Sequence, residues 1–195
     1  MSLDADVRAE VLRVLGQPVL GTIHFPHRFG RVDSRHFADV RAAIEDGRIA
    51  VRHDGALPWT GCYRAGSNTL VFQAVPAGHA AHACVVHECV HAGCDVRAYS
   101  WLTKGISEAI AFVAESWYAK VAYGGQVVSG HSDPATRAAE DALFVVAREL
   151  AEMLFRGETP ADADWDAVVR AVYTVPTYRL DLSFCGYDGV PAASR

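Results

Sequence analysis

The 195-residue chain contains no run of eighteen apolar residues, so no helix in it is predicted to span a membrane. It also has no basic surplus. Eighteen Lys and Arg face 23 Asp and Glu, a formal net charge of −5, which argues against a nucleic-acid partner because nothing is left to displace phosphate counterions. Cysteines are few: Cys62, Cys84, Cys89, Cys94 and Cys185. Their number is odd and three of them crowd together, which argues against a secreted disulfide framework. The first residues, Met1-Ser2-Leu3-Asp4-Ala5-Asp6, are acidic and lack the basic region and apolar run of a signal peptide. These absences predict a cytoplasmic location, with release as an effector that needs no N-terminal signal as the alternative. There is no internal repeat and no low-complexity tract.

What is present is a globular composition, 51% hydrophobic and 21% charged, enough for one core over residues 1–195. Val7, Val11, Leu12 and Leu15 recur at helical spacing over 4–15, and Gly16-Gln17-Pro18 stops that helix. Residues 18–33 read as irregular or a short strand. Ser34 reads as the N-cap of a helix to Glu45, ended by Asp46-Gly47. Strands follow at 48–53, 61–64 and 69–74, the last two forming a hairpin around Ala65-Gly66-Ser67-Asn68. The remainder reads as helices over 79–93, 103–123, from Asp133-Pro134 to Arg156, and 161–173. The expected class is α+β, a predominantly helical single domain with a small antiparallel sheet before the helix at 79–93.

That helix carries His87-Glu88-Cys89-Val90-His91, an H-E-x-x-H sequence. Residues four apart on a helix share a face, so both imidazoles can reach one metal ion, and zinc suits neutral imidazole. Glu88, one position on, points about 100° around the axis, beside the ion, where it can take a proton from a zinc-activated water. A zinc ion that keeps one position for water needs a third protein ligand. Glu108 on the next helix is the first candidate. There Ile106, Ile110, Val113, Trp117 and Val121 form an apolar stripe, and Glu108 and Glu115 share the opposite side. Glu115 is the runner-up. Asp95 is an alternative ligand, or an acceptor that orients a ligating histidine. Cys84 and Cys94 lie near the histidine stripe and read as buried thiols, with a thiolate ligand to a closed structural zinc site as the alternative, and Cys89 reads as core. His79 and His82 read as a polar entry to the helix. An oxyanion donor is available among His131, Tyr173, Tyr178 and Tyr187.

His87-Glu88-Cys89-Val90-His91-Ala92 followed by Ser107-Glu108-Ala109-Ile110-Ala111-Phe112 resembles the zincin metallopeptidases of the gluzincin type, over roughly residues 80–120. The chain is also similar to small bacterial H-E-x-x-H proteins in which an aspartate, here Asp95, follows the second histidine by four residues. The resemblance implies a minimal zincin-like fold, a sheet edge at 61–74 that aligns a peptide, His87, His91 and Glu108 as zinc ligands, and Glu88 as general base and acid. Many gluzincins place the ligand glutamate directly before a glycine; the comparable pair here is Lys104-Gly105, which leaves Asp95 as the other ligand candidate. The expected activity is a zinc-dependent metallopeptidase acting on a peptide or protein substrate. The rivals are a catalytically inactive binding or regulatory protein with a structural metal, and a bacterial effector or toxin metallopeptidase.

Overall fold

In the computed structural model, residues 2–27, 30–125, 133–178 and 183–191 are described. Ser2 opens α1 (Leu3–Leu15) by accepting from the Ala5 N–H, and Asp4 and Asp6 suit the positive end of the helix dipole. A 3-10 turn over Pro18–Thr22 leads to a two-stranded antiparallel sheet, β1 (Phe25–His27) with β2 (Gly30–Val32). Helix α2 (Ser34–Glu45) is capped one residue earlier than expected. Asp33, not Ser34, accepts from the His36 N–H at 3.1 Å. A carboxylate is the stronger acceptor at a helix N-terminus.

The second sheet comprises β3 (Ala50–His53), β4 (Gly61–Arg64) and β5 (Thr69–Phe72) in the order β3-β5-β4. The expected hairpin is β4–β5, with Cys62 opposite Val71. The sheet as a whole is mixed rather than antiparallel, because β3 joins β5 in parallel. The cause is the loop over 54–60. It crosses the end of β5, where Asp54 donates to the Phe72 carbonyl and Gln73 to the Thr60 carbonyl, both at 3.0 Å, so β4 lands on the far edge.

Helix α3 (Gly78–Val96) runs past Gly93, where the sequence suggested a stop. Gly93 is there for a close approach instead. A Cβ on it would stand 2.0 Å from Nε2 of His36, whose ring lies against α3 and reaches the Val90 carbonyl at 2.9 Å. Helix α4 (Lys104–Tyr123) ends at Gly124, whose φ of +62° lets its N–H bond back to Lys120. Asp133 caps α5 (Pro134–Phe155) through the Thr136 N–H, and the Asp164 side chain accepts from the Ala161 N–H at the start of α6 (Asp162–Val172).

Helix α4 is the axle of the fold. It packs against α3, α5 and α6, and Ala109 through Ala119 are all buried. The apolar stripe foreseen for it is therefore only one of its covered faces. Trp117 meets Phe25 of β1, which also meets Trp165 of α6, closing the core beneath α4. Among the described residues no helix is long and apolar enough to cross a membrane.

Candidate metal centre

Helix α3 is enclosed between the β3–β5 sheet side, α2 and α4, and every residue from Val85 to Asp95 is buried. His87, Glu88, His91 and Asp95 are the polar groups in this stretch. Buried polar groups must find partners or be heavily penalised, so their contacts account for why they are there.

The two imidazoles lie one turn apart with ring centres 5.0 Å from each other, and Phe112 of α4 packs its ring against that of His87 at 4.6 Å. Helix α4 runs antiparallel to α3 and presents Glu108 to both. Nε2 of His87 stands 3.1 Å from Oε2 of Glu108, and Nε2 of His91 stands 3.5 Å from Oε1. Among the described residues, His87, His91 and Glu108 are the one group whose His, Cys, Asp or Glu ligand atoms converge, all within 4.8 Å. Ligands held about 2.0–2.1 Å from a tetrahedral ion stand about 3.3 Å apart, close to the two distances from the imidazoles to Glu108, so the group could hold a metal ion.

The inner nitrogens are held from behind. Nδ1 of His87 donates to Oε2 of Glu115 at 2.9 Å. Nδ1 of His91 lies 2.8 Å from Oγ of Ser107 and 3.0 Å from the hydroxyl of Tyr187, and those two oxygens are 2.9 Å apart. Such contacts fix each ring and leave Nε2 directed at the centre. Burial disfavours a charge on His87, yet Glu108 and Glu115 on its two nitrogens outweigh it and hold the pKa well above the usual histidine value. Burial likewise works to raise Glu108, but the neighbouring His91 and His87 rings prevail and hold it well below the usual carboxylate range. The three groups together form a seat for one positive charge, a proton or a metal ion.

Glu88 is buried beside this seat. Burial is the main cause of a raised pKa, and its Oε2 accepts the backbone N–H of Tyr63 at 2.8 Å. That N–H projects from the outer edge of β4, so the strand holds the carboxylate in place.

Other candidates fall elsewhere. Asp95 is outside the converging group and touches neither histidine. Its carboxylate accepts the Tyr63 hydroxyl at 2.7 Å and the Gly189 N–H at 3.2 Å. The physical reason is position: Asp95 is a full turn beyond His91, opposite the turn of the β4–β5 hairpin and the C-terminal segment. Glu115 backs His87 rather than joining the centre, being two turns past Glu108 along α4. Cys84 and Cys94 are free thiols outside the group, and burial pushes both well above the usual thiol range. Cys89 lies in the core. His79 stacks on Tyr123, and His82 reaches the Tyr123 hydroxyl at 2.7 Å and Glu10 at 2.9 Å, a separate polar cluster at the start of α3. Of the oxyanion candidates, Tyr187 is committed behind His91, and Tyr173 packs over Gly105, where a Cβ would meet its hydroxyl at 2.3 Å. His131 lies outside the described residues. Tyr178 is held well above the usual tyrosine range by burial, with Glu108, Glu140, Glu88 and Glu115 adding to the effect.

Sequence reasoning missed Ser107 and the supporting role of Tyr63. Neither carries a local signal, since a serine on a helix and a tyrosine on a strand are ordinary. Comparison with protein-family models, curated proteins and solved structures gave no match.

Proposed function

We propose that the chain is a zinc-dependent hydrolase of the H-E-x-x-H type, acting on peptide bonds, with His87, His91 and Glu108 as the ligands and Glu88 as general base and acid. The observation that supports this is the convergence of one carboxylate and two outer imidazole nitrogens beside a second, buried carboxylate that is not spent on the same centre. Zinc held there would polarise a scissile carbonyl and acidify a water molecule toward neutral pH. Glu88, with its pKa raised by burial, is suited to take a proton from the attacking water and return it to the leaving amine. The N–H of Tyr63 keeps one Glu88 oxygen engaged and so directs the other. Tyr178 stays a phenol beside these carboxylates and is the donor available for charge that develops on the carbonyl oxygen. A peptide is the substrate class that the likeness to gluzincin-type metallopeptidases implies; the outward Tyr63 N–H of β4 is spent on Glu88 and is not free to pair an extended chain.

The experiment is elemental analysis of the untagged protein after dialysis without chelator, followed by cleavage assays on a peptide library. The expected result is about one zinc per chain and turnover that vanishes in Glu88→Gln while zinc is retained. Zinc without any Glu88-dependent cleavage would instead mark a protein that holds metal without turning over substrate. No zinc uptake would reject the metal centre.

A further inference from the structure

Asp95 has no exposed surface, and no cation pairs with its carboxylate among the described residues. Burying a carboxylate without a cation is costly; burial raises its pKa, the nearby Asp188 carboxylate adds to the rise, and the Asp188 N–H offsets part of it. Its partners come from two separate parts of the chain. From the β4–β5 hairpin, the Tyr63 hydroxyl donates to Oδ2 at 2.7 Å, and the Asn68 amide, its nitrogen turned inward, donates to the same oxygen at 3.2 Å. From the C-terminal segment, the Gly189 N–H donates to Oδ1 at 3.2 Å, at a residue whose φ of +101° favours glycine.

Tyr63 and the segment of Gly189 are also tied to the metal centre. Tyr63 is held at both ends: its hydroxyl by Asp95 and its N–H by Glu88. Glu88 and Asp95 are seven residues apart, two turns along one face of α3 and about 10 Å in rise. Tyr63 therefore lies along the helix as a rung, and strand β4 cannot slide without losing both contacts. Two residues before Gly189, Tyr187 places its hydroxyl on Nδ1 of His91. The other end of that segment is pinned to the start of α4, where Cys185 donates to the Leu102 carbonyl at 3.0 Å. Tyr187 thus sits in a short span anchored at Leu102 and at Asp95.

We propose that Asp95 is the positioning residue of this centre: by gathering Tyr63 and Gly189 on one carboxylate, it sets the Tyr63 N–H against Glu88 and the Tyr187 hydroxyl against His91. The catalytic consequence rests on the hydrolase reading; the placement itself does not. Asp95 touches neither metal ligand, and its effect passes through one strand and one C-terminal span.

The test uses the full chain with two readouts, hydrogen exchange at the residue-63 amide in metal-free protein and affinity for zinc alone, measured by competition with a chromophoric chelator. Asp95→Asn should speed residue-63 exchange by about tenfold or more and raise the zinc dissociation constant about tenfold. Tyr63→Phe should change exchange alone, and Tyr187→Phe zinc affinity alone. The double variant Asp95→Asn/Tyr187→Phe should bind zinc as Tyr187→Phe does, because Asp95 acts on zinc through that hydroxyl. Zinc losses that add in the double variant, or exchange that quickens equally throughout α3, α4 and α5, would overturn the proposal and leave Asp95 as a general stabiliser. If Asp95→Asn does not fold, Tyr63→Phe carries the exchange arm and Tyr187→Phe the zinc arm, and failure of either overturns it. Wild-type protein that takes up no zinc would reject the metal centre separately, and the exchange arm, which needs no metal, would still decide whether Asp95 holds Tyr63 to Glu88.

Discussion

Glu115 accepts from Nδ1 of His87 at 2.9 Å while Glu108 faces Nε2 of the same ring at 3.1 Å, so one buried imidazole is gripped by carboxylates on both sides. The two have different duties. Glu108 shares the centre with His91, whereas Glu115 fixes the ring from behind. Glu115→Gln should therefore keep the fold and the stoichiometry of zinc but raise its dissociation constant by about 10–100-fold. Glu108→Gln should cost more, since it removes a ligand. Isothermal titration of both variants with zinc checks the order, and equal losses would contradict it.

On the proposed reading, loss of a ligand differs from loss of the base. His91→Ala should abolish stoichiometric zinc at micromolar protein. Glu88→Gln should retain zinc and lower any peptide cleavage by about 10²–10⁴-fold. A Glu88→Gln protein that loses zinc as completely as His91→Ala would place Glu88 among the ligands, contrary to the geometry.

The zinc effect on stability should depend on pH with a definite sign. His87 has a folded pKa above its ordinary 6.5, so its pairing stabilises the metal-free protein below that value and is lost as pH rises through the folded pKa. Glu108 is depressed below its ordinary 4.5, so its contribution is present above that value and is lost as pH falls. On the proposed reading, zinc takes the place of the proton shared by these groups. Its stabilisation should therefore be smallest near pH 5.5 and grow toward pH 8, reaching about 4 kcal/mol when free zinc is a thousandfold above its dissociation constant. Thermal unfolding with and without zinc across that range measures it; a zinc shift independent of pH would argue against proton displacement.

Gly93→Ala should destabilise the protein by about 1–3 kcal/mol, because the added Cβ would enter the ring of His36. Adding His36→Ala should recover part of the loss, and denaturant unfolding of the single and double variants would show it. Additive losses would mean that Gly93 matters for another reason.

Much of the helical layout was legible because its signals are local. Asp133-Pro134 and Gly124 mark termini through backbone chemistry that neighbours alone decide, and β4 begins and ends at the strand expected over 61–64. The parallel pairing of β3 was not legible, since the path of the 54–60 loop depends on what occupies the middle of the sheet. Gly93 read as a stop because a glycine that admits a distant ring has the same letter as one that ends a helix.

The same division runs through the site. The sequence by itself determined that His87 and His91 share a face of α3 and that Glu88 stands beside them, because helical periodicity is set by the backbone. It could propose Glu108, Glu115 and Asp95 but not assign their places. Only the antiparallel packing of α4 on α3 decided that Glu108 bridges both outer nitrogens while Glu115 falls behind His87. Only the return of the C-terminal segment, nearly a hundred residues along the chain, brought Tyr187 to His91 and Gly189 to Asp95. Those contacts depend on where separate elements dock, a free energy summed over the whole core, and no local pattern encodes it.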